Sequence, residues 1–271
     1  MVNDQMVHGM IFCAGLGTRL KPLTDTMPKA LVPLAGKPLL QWQVEKLRDA
    51  GITDIIVNVH HFPDQIIDTV RANNGWGCNI TISDERDQLL DTGGGLKKIM
   101  ANDKWQMANE PLLACNVDIL SNIDLRALVA EYERTGVSQL VVSDRQTQRY
   151  LCFDEHDTLC GWTNIATGEY RPASLSEAAH SIIPSFRRLA FSGMQILSPE
   201  VLALLAQMPE DKFSLIDFYL SLCEQNHKSQ MGNDKSILRA FVPENYRMMD
   251  VGKIDQIAEA EAFAESLSCK K

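Results

Sequence analysis

Positive charge is concentrated where the chain is least able to form regular structure. Between His8 and Leu40 lie Arg19, Lys21, Lys29 and Lys37, with Asp25 the only acid. The same stretch holds Gly15, Gly17, Gly36 and the prolines Pro22, Pro28 and Pro33. Its net charge is +3 on a protein of −9. A cationic, glycine-opened loop on an acidic chain is a place for an anion, most simply phosphate. Neither common phosphate loop fits. No Gly-Lys-Ser/Thr enters a helix after Gly15. Leu20 stands where a dinucleotide fingerprint needs its third glycine, and Pro22 and Pro28 oppose a helix there. An ordinary strand–helix loop rich in Gly and Lys is the competing reading, and composition does not separate the two.

Other residues could work with such a loop. Asp118 ends the run Leu112–Asp118 (LLACNVD). A carboxylate at the end of a buried strand can hold Mg²⁺ beside phosphate oxygens and water, or cap a turn. Asp250, in MMDVG, can do the same or N-cap the terminal helix. Asp91-Thr92-Gly93-Gly94-Gly95 opens a helix with three glycines, which permits close backbone approach to a flat ligand or makes a flexible turn. His60 and His61 are adjacent, so on a strand they face opposite ways and no shared zinc is expected. The seven cysteines (13, 78, 115, 152, 160, 223, 269) contain no Cys-x-x-Cys pair and fit reduced, mostly buried thiols. Cys13 is expected to be a core thiol rather than a nucleophile.

The elements that must position these residues alternate strand and helix. A strand over Met10–Cys13 precedes the loop, and Pro38 opens a helix carrying Leu40, Val44 and Leu47 that Gly51 closes. Strands follow at Asp54–Val59, Asn79–Ser83, Leu112–Cys115 and Val137–Ser143, with helices around Ile66, Ile67 and Val70 and over Leu125–Glu133, the latter capped by Asp124. This alternation predicts a parallel sheet covered on both faces, with ligands beyond the C-terminal strand ends. The loop, residues 84–95 and Asp118 would then share one rim. Residues 145–190 read as hairpins and long loops on a sheet edge. A strand over Leu189–Leu197, helices from Pro199 to Ala206 and Leu215 to Cys223, and short strands over Ile237–Phe241 and Tyr246–Met249 complete the pattern. A last helix is expected to bury Ile254, Ile257, Ala258 and Ala262.

Bulk properties narrow the class. The chain has 271 residues, 45% apolar and 23% charged, as for an ordinary globular protein of one large α/β domain. Net charge −9 and pI 5.2 argue against nucleic-acid binding. No apolar run approaches the ~20 residues of a membrane span. The N-terminus lacks a basic region followed by an apolar core, so residues 1–7 are expected to be a frayed leader and the protein cytoplasmic.

The exact wording of the motifs adds to this. Ala14–Leu20 (AGLGTRL), Pro22-Leu23-Thr24 and Pro28–Pro33 (PKALVP) together resemble the signature of the sugar-1-phosphate nucleotidyltransferases. The resemblance implies a single domain of residues 1–271 with a Rossmann-like, mixed, mainly parallel sheet flanked by helices (a glycosyltransferase-A-like fold). Residues 8–144 would form the nucleotide half and 145–271 the sugar half. It implies a reaction between a nucleoside triphosphate and a sugar 1-phosphate, with Mg²⁺ as cofactor, in a monomer or small homo-oligomer. Arg19 and Lys29 take the catalytic roles. Ala14, Gly15, Gly17, Thr18, Thr92, Gly93 and Gly94 join them in holding the nucleotide. Asp118 and Asp250 become the metal ligands, although Val117 replaces the glycine of the family's Asn-Gly-Asp. Asn116, Ser192, Gly193 and Asp217 fall to the sugar. No Glu-Lys-Pro lysine for the sugar phosphate occurs between 145 and 190; Arg187 or Arg188 is the nearest substitute, with surface solvation the competing and more ordinary role of each. The 91–95 wording looks most like the N-acetylmuramate 1-phosphate uridylyltransferases. Mannose- or heptose-1-phosphate guanylyltransferase is the alternative within the family, and a catalytically inactive nucleotide-sugar-binding regulator the alternative outside it.

Overall fold

The computed structural model describes residues 6–101, 109–175, 186–228 and 237–268. Cys269, residues 1–5 of the expected leader and residues 176–185 of the irregular segment lie outside them. In chain order the elements are β1 (His8–Phe12), β2 (Pro33–Leu34), β3 (Lys37–Pro38), α1 (Leu39–Asp49), β4 (Asp54–Val59), α2 (Pro63–Ala72), β5 (Asn79–Asp84) and α3 (Asp91–Met100). Next come β6 (Leu112–Asn116), β7 (Ile119–Ser121), α4 (Leu125–Thr135), β8 (Ser138–Ser143), β9 (Arg149–Phe153), β10 (Leu159–Asn164) and β11 (Glu169–Arg171). The chain continues through β12 (Arg187–Leu197), α5 (Pro199–Ala206), α6 (Leu215–Lys228), β13 (Leu238–Phe241), β14 (Met248–Asp250) and α7 (Ile257–Ser268).

The main sheet runs β13-β8-β12-β6-β1-β4-β5, every neighbouring pair parallel except the two that β12 makes. β12 is antiparallel to β6 and β8, so the sheet is mixed and mainly parallel, as the motif resemblance implies, where strand–helix alternation alone gives a parallel one. At its start β12 leaves this sheet to pair with β9, which carries the antiparallel meander β9-β10-β11. The region expected as edge hairpins is that meander.

Alternation along the strands feeds two cores. Ile11, Ile55, Val57, Leu113 and Cys115 face α1, α2, α4 and α7. Met10, Phe12, Ile56, Leu112 and Ala114 face α3, α5 and α6. Helix ends follow local chemistry. Asp124 Oδ1 accepts from the N–H groups of Arg126 (2.9 Å) and Ala127 (3.4 Å), and Gly136 closes α4 in the left-handed region. Ser198 caps α5 ahead of Pro199. The last helix buries a different stripe from the one expected. Ala260 and Ala264 are fully buried, flanked by Ile257, Phe263 and Leu267, while Ala258 and Ala262 are exposed. Ile254 belongs to a preceding 3-10 turn and is 44% exposed. That turn rotates the helix start, and the periodicity counted from Ile254 goes with it.

Candidate active site

β1 and β6 are neighbours, with Phe12 opposite Asn116. The chain therefore leaves both strands at one rim, and Val117 N–H bonds to the Phe12 carbonyl at 3.3 Å. A cleft of about 450 Å³ opens there, within the ordinary range for a small-molecule site. The glycine loop (Ala14, Gly15, Gly17, Thr18, Arg19) lines one wall, Leu89, Asp91 and Thr92 line another, and Lys29, Asn116 and Asp118 also border it.

The loop keeps its shape by local contacts. Gly17 is left-handed (φ +64°), and a β-carbon there would come within 2.8 Å of Thr24 Cγ2. The Thr24 hydroxyl donates to the Gly17 carbonyl at 2.9 Å. The loop's peptides thereby fold back on one another and leave Gly15, Thr18 and Arg19 exposed toward the cleft.

The charged groups converge. Lys29, only 9% exposed, donates its Nζ to Asp118 Oδ2. Asp250 arrives from β14, which pairs with β7 so that Asp250 lies opposite Ile119, and Val251 N–H bonds to the Asp118 carbonyl at 2.9 Å. Arg19 Nη2 stands 3.8 Å from Asp250 Oδ2. Gly252 lies under that guanidinium, where a β-carbon would come within 2.9 Å of Nη2. Burial first, and then the negative charge of Asp118, hold the Asp250 carboxyl above the usual carboxylate range, against the opposing pull of Lys29 and Arg19. Residues 132 apart in sequence thus form one carboxylate pair flanked by two cations.

Among the described residues no group of three or more His, Cys, Asp or Glu side chains forms a metal cluster. Two facing carboxylates beside the cleft instead suit a hard cation that takes part of its oxygen shell from substrate. Cys13 is buried, and burial raises its thiol well above its ordinary value, which fits the core thiol expected. His60 and His61 bond separately, to the carbonyls of Glu85 and Thr24.

The family model for nucleotidyl transferases matches residues 8–266. The chain belongs to the nucleotidyl transferase family. It is 33% identical over 221 residues to an N-acetylmuramate alpha-1-phosphate uridylyltransferase of Caulobacter vibrioides, spanning 79% of this chain and 83% of that protein. To a mannose-1-phosphate guanyltransferase of Saccharomyces cerevisiae it is 34% identical over 140 residues, covering 51% of this chain and 38% of the yeast protein. HddC from Yersinia pseudotuberculosis, complexed with GMP-PN, shares the fold at TM-score 0.67 and 22% identity, covering 96% of this chain and all of that one. Apo UDP-glucose pyrophosphorylase shares it at TM-score 0.68 and 17% identity, covering 96% and 99%.

Within this nucleotidyl transferase several expected site residues lie off the cleft. Gly93 and Gly94 are in the first turn of α3 and approach protein, not open space. A β-carbon on Gly93 would overlap the Phe213 ring, and one on Gly94 the Asp211 carbonyl. The N–H groups of both donate to the Phe213 carbonyl, at 2.9 and 3.2 Å. Thr92 does border the cleft, but its hydroxyl accepts from Leu215 N–H at 3.0 Å. Asp217 accepts from Ser214 Oγ at 2.6 Å and from Arg171 at 2.9 Å, while its own N–H bonds back to Ser214. That is a capping arrangement at the start of α6. Ser192 is buried beside the Tyr246 hydroxyl. Gly193 packs against the Asn116 amide, one layer behind the cleft. Arg187 pairs with Asp157, and Arg188 bonds the Tyr170 hydroxyl at 2.8 Å.

Asn58 and Lys212, which no motif singles out, also border the cleft. Asn58 looks like any residue of a buried strand until its partners are seen. Lys212 has no local signal, because only the packing of residues 210–215 on α3 brings it there. Lys97 holds that segment through the Glu210 carbonyl (3.0 Å) and the Asp211 carboxylate (2.9 Å).

Proposed function

We propose that the protein condenses a nucleoside triphosphate with a sugar 1-phosphate to give an NDP-sugar and pyrophosphate. N-acetylmuramate 1-phosphate and UTP are the preferred pair. The observation that carries this is the meeting of Arg19, Lys29 and Asp118, which line the cleft, with Asp250, which reaches both Arg19 and Asp118. The likeness to the Caulobacter protein over four-fifths of its length favours the muramate and uridine choice.

In this reading a sugar-phosphate oxygen attacks the α-phosphorus and pyrophosphate leaves in line. A phosphate monoester is already largely dianionic near neutrality, with a second pKa of about 6, so no general base is required. The task is electrostatic. Asp118 and Asp250 would hold Mg²⁺, which supplies charge neutralisation and alignment of both phosphates when bound. The exposed guanidinium of Arg19 reaches the triphosphate and stabilises charge that grows during transfer. Lys29 orients Asp118 by donating its Nζ to Oδ2. The exposed amides after Ala14 offer donors to phosphate oxygens. A regulator that only bound nucleotide would have no use for a second facing carboxylate that costs stability.

A mannose-1-phosphate guanylyltransferase is the second reading, favoured by the yeast relative. Pyrophosphate release measured over four triphosphates and several sugar 1-phosphates with Mg²⁺ separates the two. The largest kcat/KM is expected with UTP and N-acetylmuramate 1-phosphate. A maximum with GTP and mannose 1-phosphate selects the second reading, and tight nucleotide binding without release anywhere selects the regulator.

A further inference from the structure

Glu85 follows β5 and is a carboxylate 1% exposed. Its hydrogen-bond donors are neutral. Asn58 Nδ2 donates to Oε1 at 2.8 Å, and Leu90 N–H donates to Oε2 at 3.3 Å. The two nearby cationic or titratable groups are engaged elsewhere: His60 Nδ1 bonds the backbone carbonyl of Glu85 at 2.7 Å, and Lys98 Nζ bonds the carbonyl of Asp84. A carboxylate buried on neutral donors is costly and needs a reason. The reason lies in what its partners hold. Asn58 Oδ1 accepts from Cys13 N–H at 2.8 Å, the residue from which the glycine loop departs. Leu90 directly precedes Asp91 and Thr92 on the other wall of the cleft.

The run Cys13–Asn58–Glu85–Leu90 therefore ties the two walls together behind the cleft, and its polarity is forced. Backbone N–H groups at both ends can only donate. Asn58 must then turn Oδ1 to Cys13 and Nδ2 to Glu85, and Glu85 must accept twice. Gly95 closes the run from below, where a β-carbon would come within 2.9 Å of Glu85 Oε1 and 3.2 Å of Asn58 Nδ2. We propose that Asn58 and Glu85 are positioning residues that set the separation of the two walls, and with it the fit of the nucleoside triphosphate. This rests on the cleft binding that substrate.

Isosteric exchange tests it. Asn58→Asp sets two carboxylates against each other, and Glu85→Gln leaves one of two donors without an acceptor. The double variant restores every bond, with only the one between positions 58 and 85 reversed in polarity. The carboxylate now at position 58 accepts from Cys13 N–H and from the amide nitrogen at position 85, and the amide oxygen at position 85 accepts from Leu90 N–H. Each single variant is expected to raise KM for UTP at least tenfold, with kcat and the KM of the sugar 1-phosphate within threefold. The double variant is expected to regain at least fivefold of that loss. Calorimetric titration of the same proteins with UTP should show the same loss and recovery in Kd, and it reads the pair even where no sugar 1-phosphate turns over. Single variants that melt earlier but keep KM and Kd at 25 °C overturn the proposal, as does a double variant no better than the worse single one.

Discussion

Two glycine-rich segments border the same cleft, and they use glycine in opposite ways. In the loop around Gly15 and Gly17, Gly17 supplies a left-handed turn and a β-carbon on Gly15 would meet nothing within 4 Å. In α3, Gly93, Gly94 and Gly95 have ordinary helical backbone, and each removed side chain makes room for other protein: the Phe213 ring, the Asp211 carbonyl, and the Asn58–Glu85 pair. The first segment is open and charged, and it faces the cleft. The second is closed and packed, and it seats the wall formed by Asp91 and Thr92. Sequence alone presents both as runs of glycine after a strand.

The difference predicts a clean split between activity and stability. Arg19 is 58% exposed at its side chain and lies over Gly252. Arg19→Ala is expected to lower kcat by about 10²–10³, the scale of one lost transition-state donor, while Tm stays within about 1 °C. A matching fall in Tm would make the loop structural after all. Gly94→Ala should do the reverse. Its new methyl must displace the Asp211 carbonyl, a forced overpacking of about 1–3 kcal/mol, or roughly 2–4 °C per kcal/mol in a chain of this size. An unchanged Tm would show that residues 210–215 yield freely and would dissolve the contrast. Gly15→Ala, with open space on the protein side, is expected to raise KM for the triphosphate about tenfold, near 1.4 kcal/mol, without moving Tm.

The open side also carries electrostatic tension that the packed side lacks. The Asp250 carboxyl is held above its ordinary value by burial and by Asp118. The folded state therefore prefers it protonated, and its ionisation costs stability as pH rises from the ordinary Asp range through the raised folded value. At pH 7 in divalent-free buffer, Asp250→Asn is expected to raise Tm while abolishing turnover. Added Mg²⁺ should raise Tm of the unaltered protein and leave that of the variant nearly unmoved. A variant that melts earlier would mean the pair is stabilised by its cations rather than strained by its charges.

Legibility in the sequence follows the same division. Local chemistry is one-sided at Asp54–Val59, at Ser198-Pro199 and at Asp124, and strand, helix start and cap fall where composition places them. The convergence of Arg19 and Lys29 with Asp118 and Asp250 is legible only through a motif resemblance, because nothing local in a strand end says which distant strand it will meet. Long-range packing is not legible. The antiparallel insertion of β12, the seat that α3 offers residues 211–213 and the wall-to-wall run through Asn58 all depend on contacts between segments 27 to 120 residues apart. Gly93 and Gly94 read as ligand-facing for this reason: a glycine reports that something comes close, not what.

Asp217 is the mildest test of the contrast. The motif resemblance puts it on the sugar side, yet its carboxylate is held by Ser214 and Arg171, which keep it below the usual carboxylate range. A residue so engaged belongs to the packed side. Ser214→Ala should then cost about 1 kcal/mol, the usual value of a helix cap, and leave KM for the sugar 1-phosphate unchanged. Acid should weaken the unaltered protein by the same route, because a depressed folded value means stability present above the ordinary Asp range and lost as pH falls through it. In Ser214→Ala that part of the acid sensitivity should shrink. A KM that rises severalfold at unchanged Tm would instead put Asp217 on the sugar. The packed side would then reach into the cleft through more than Thr92 and Lys212.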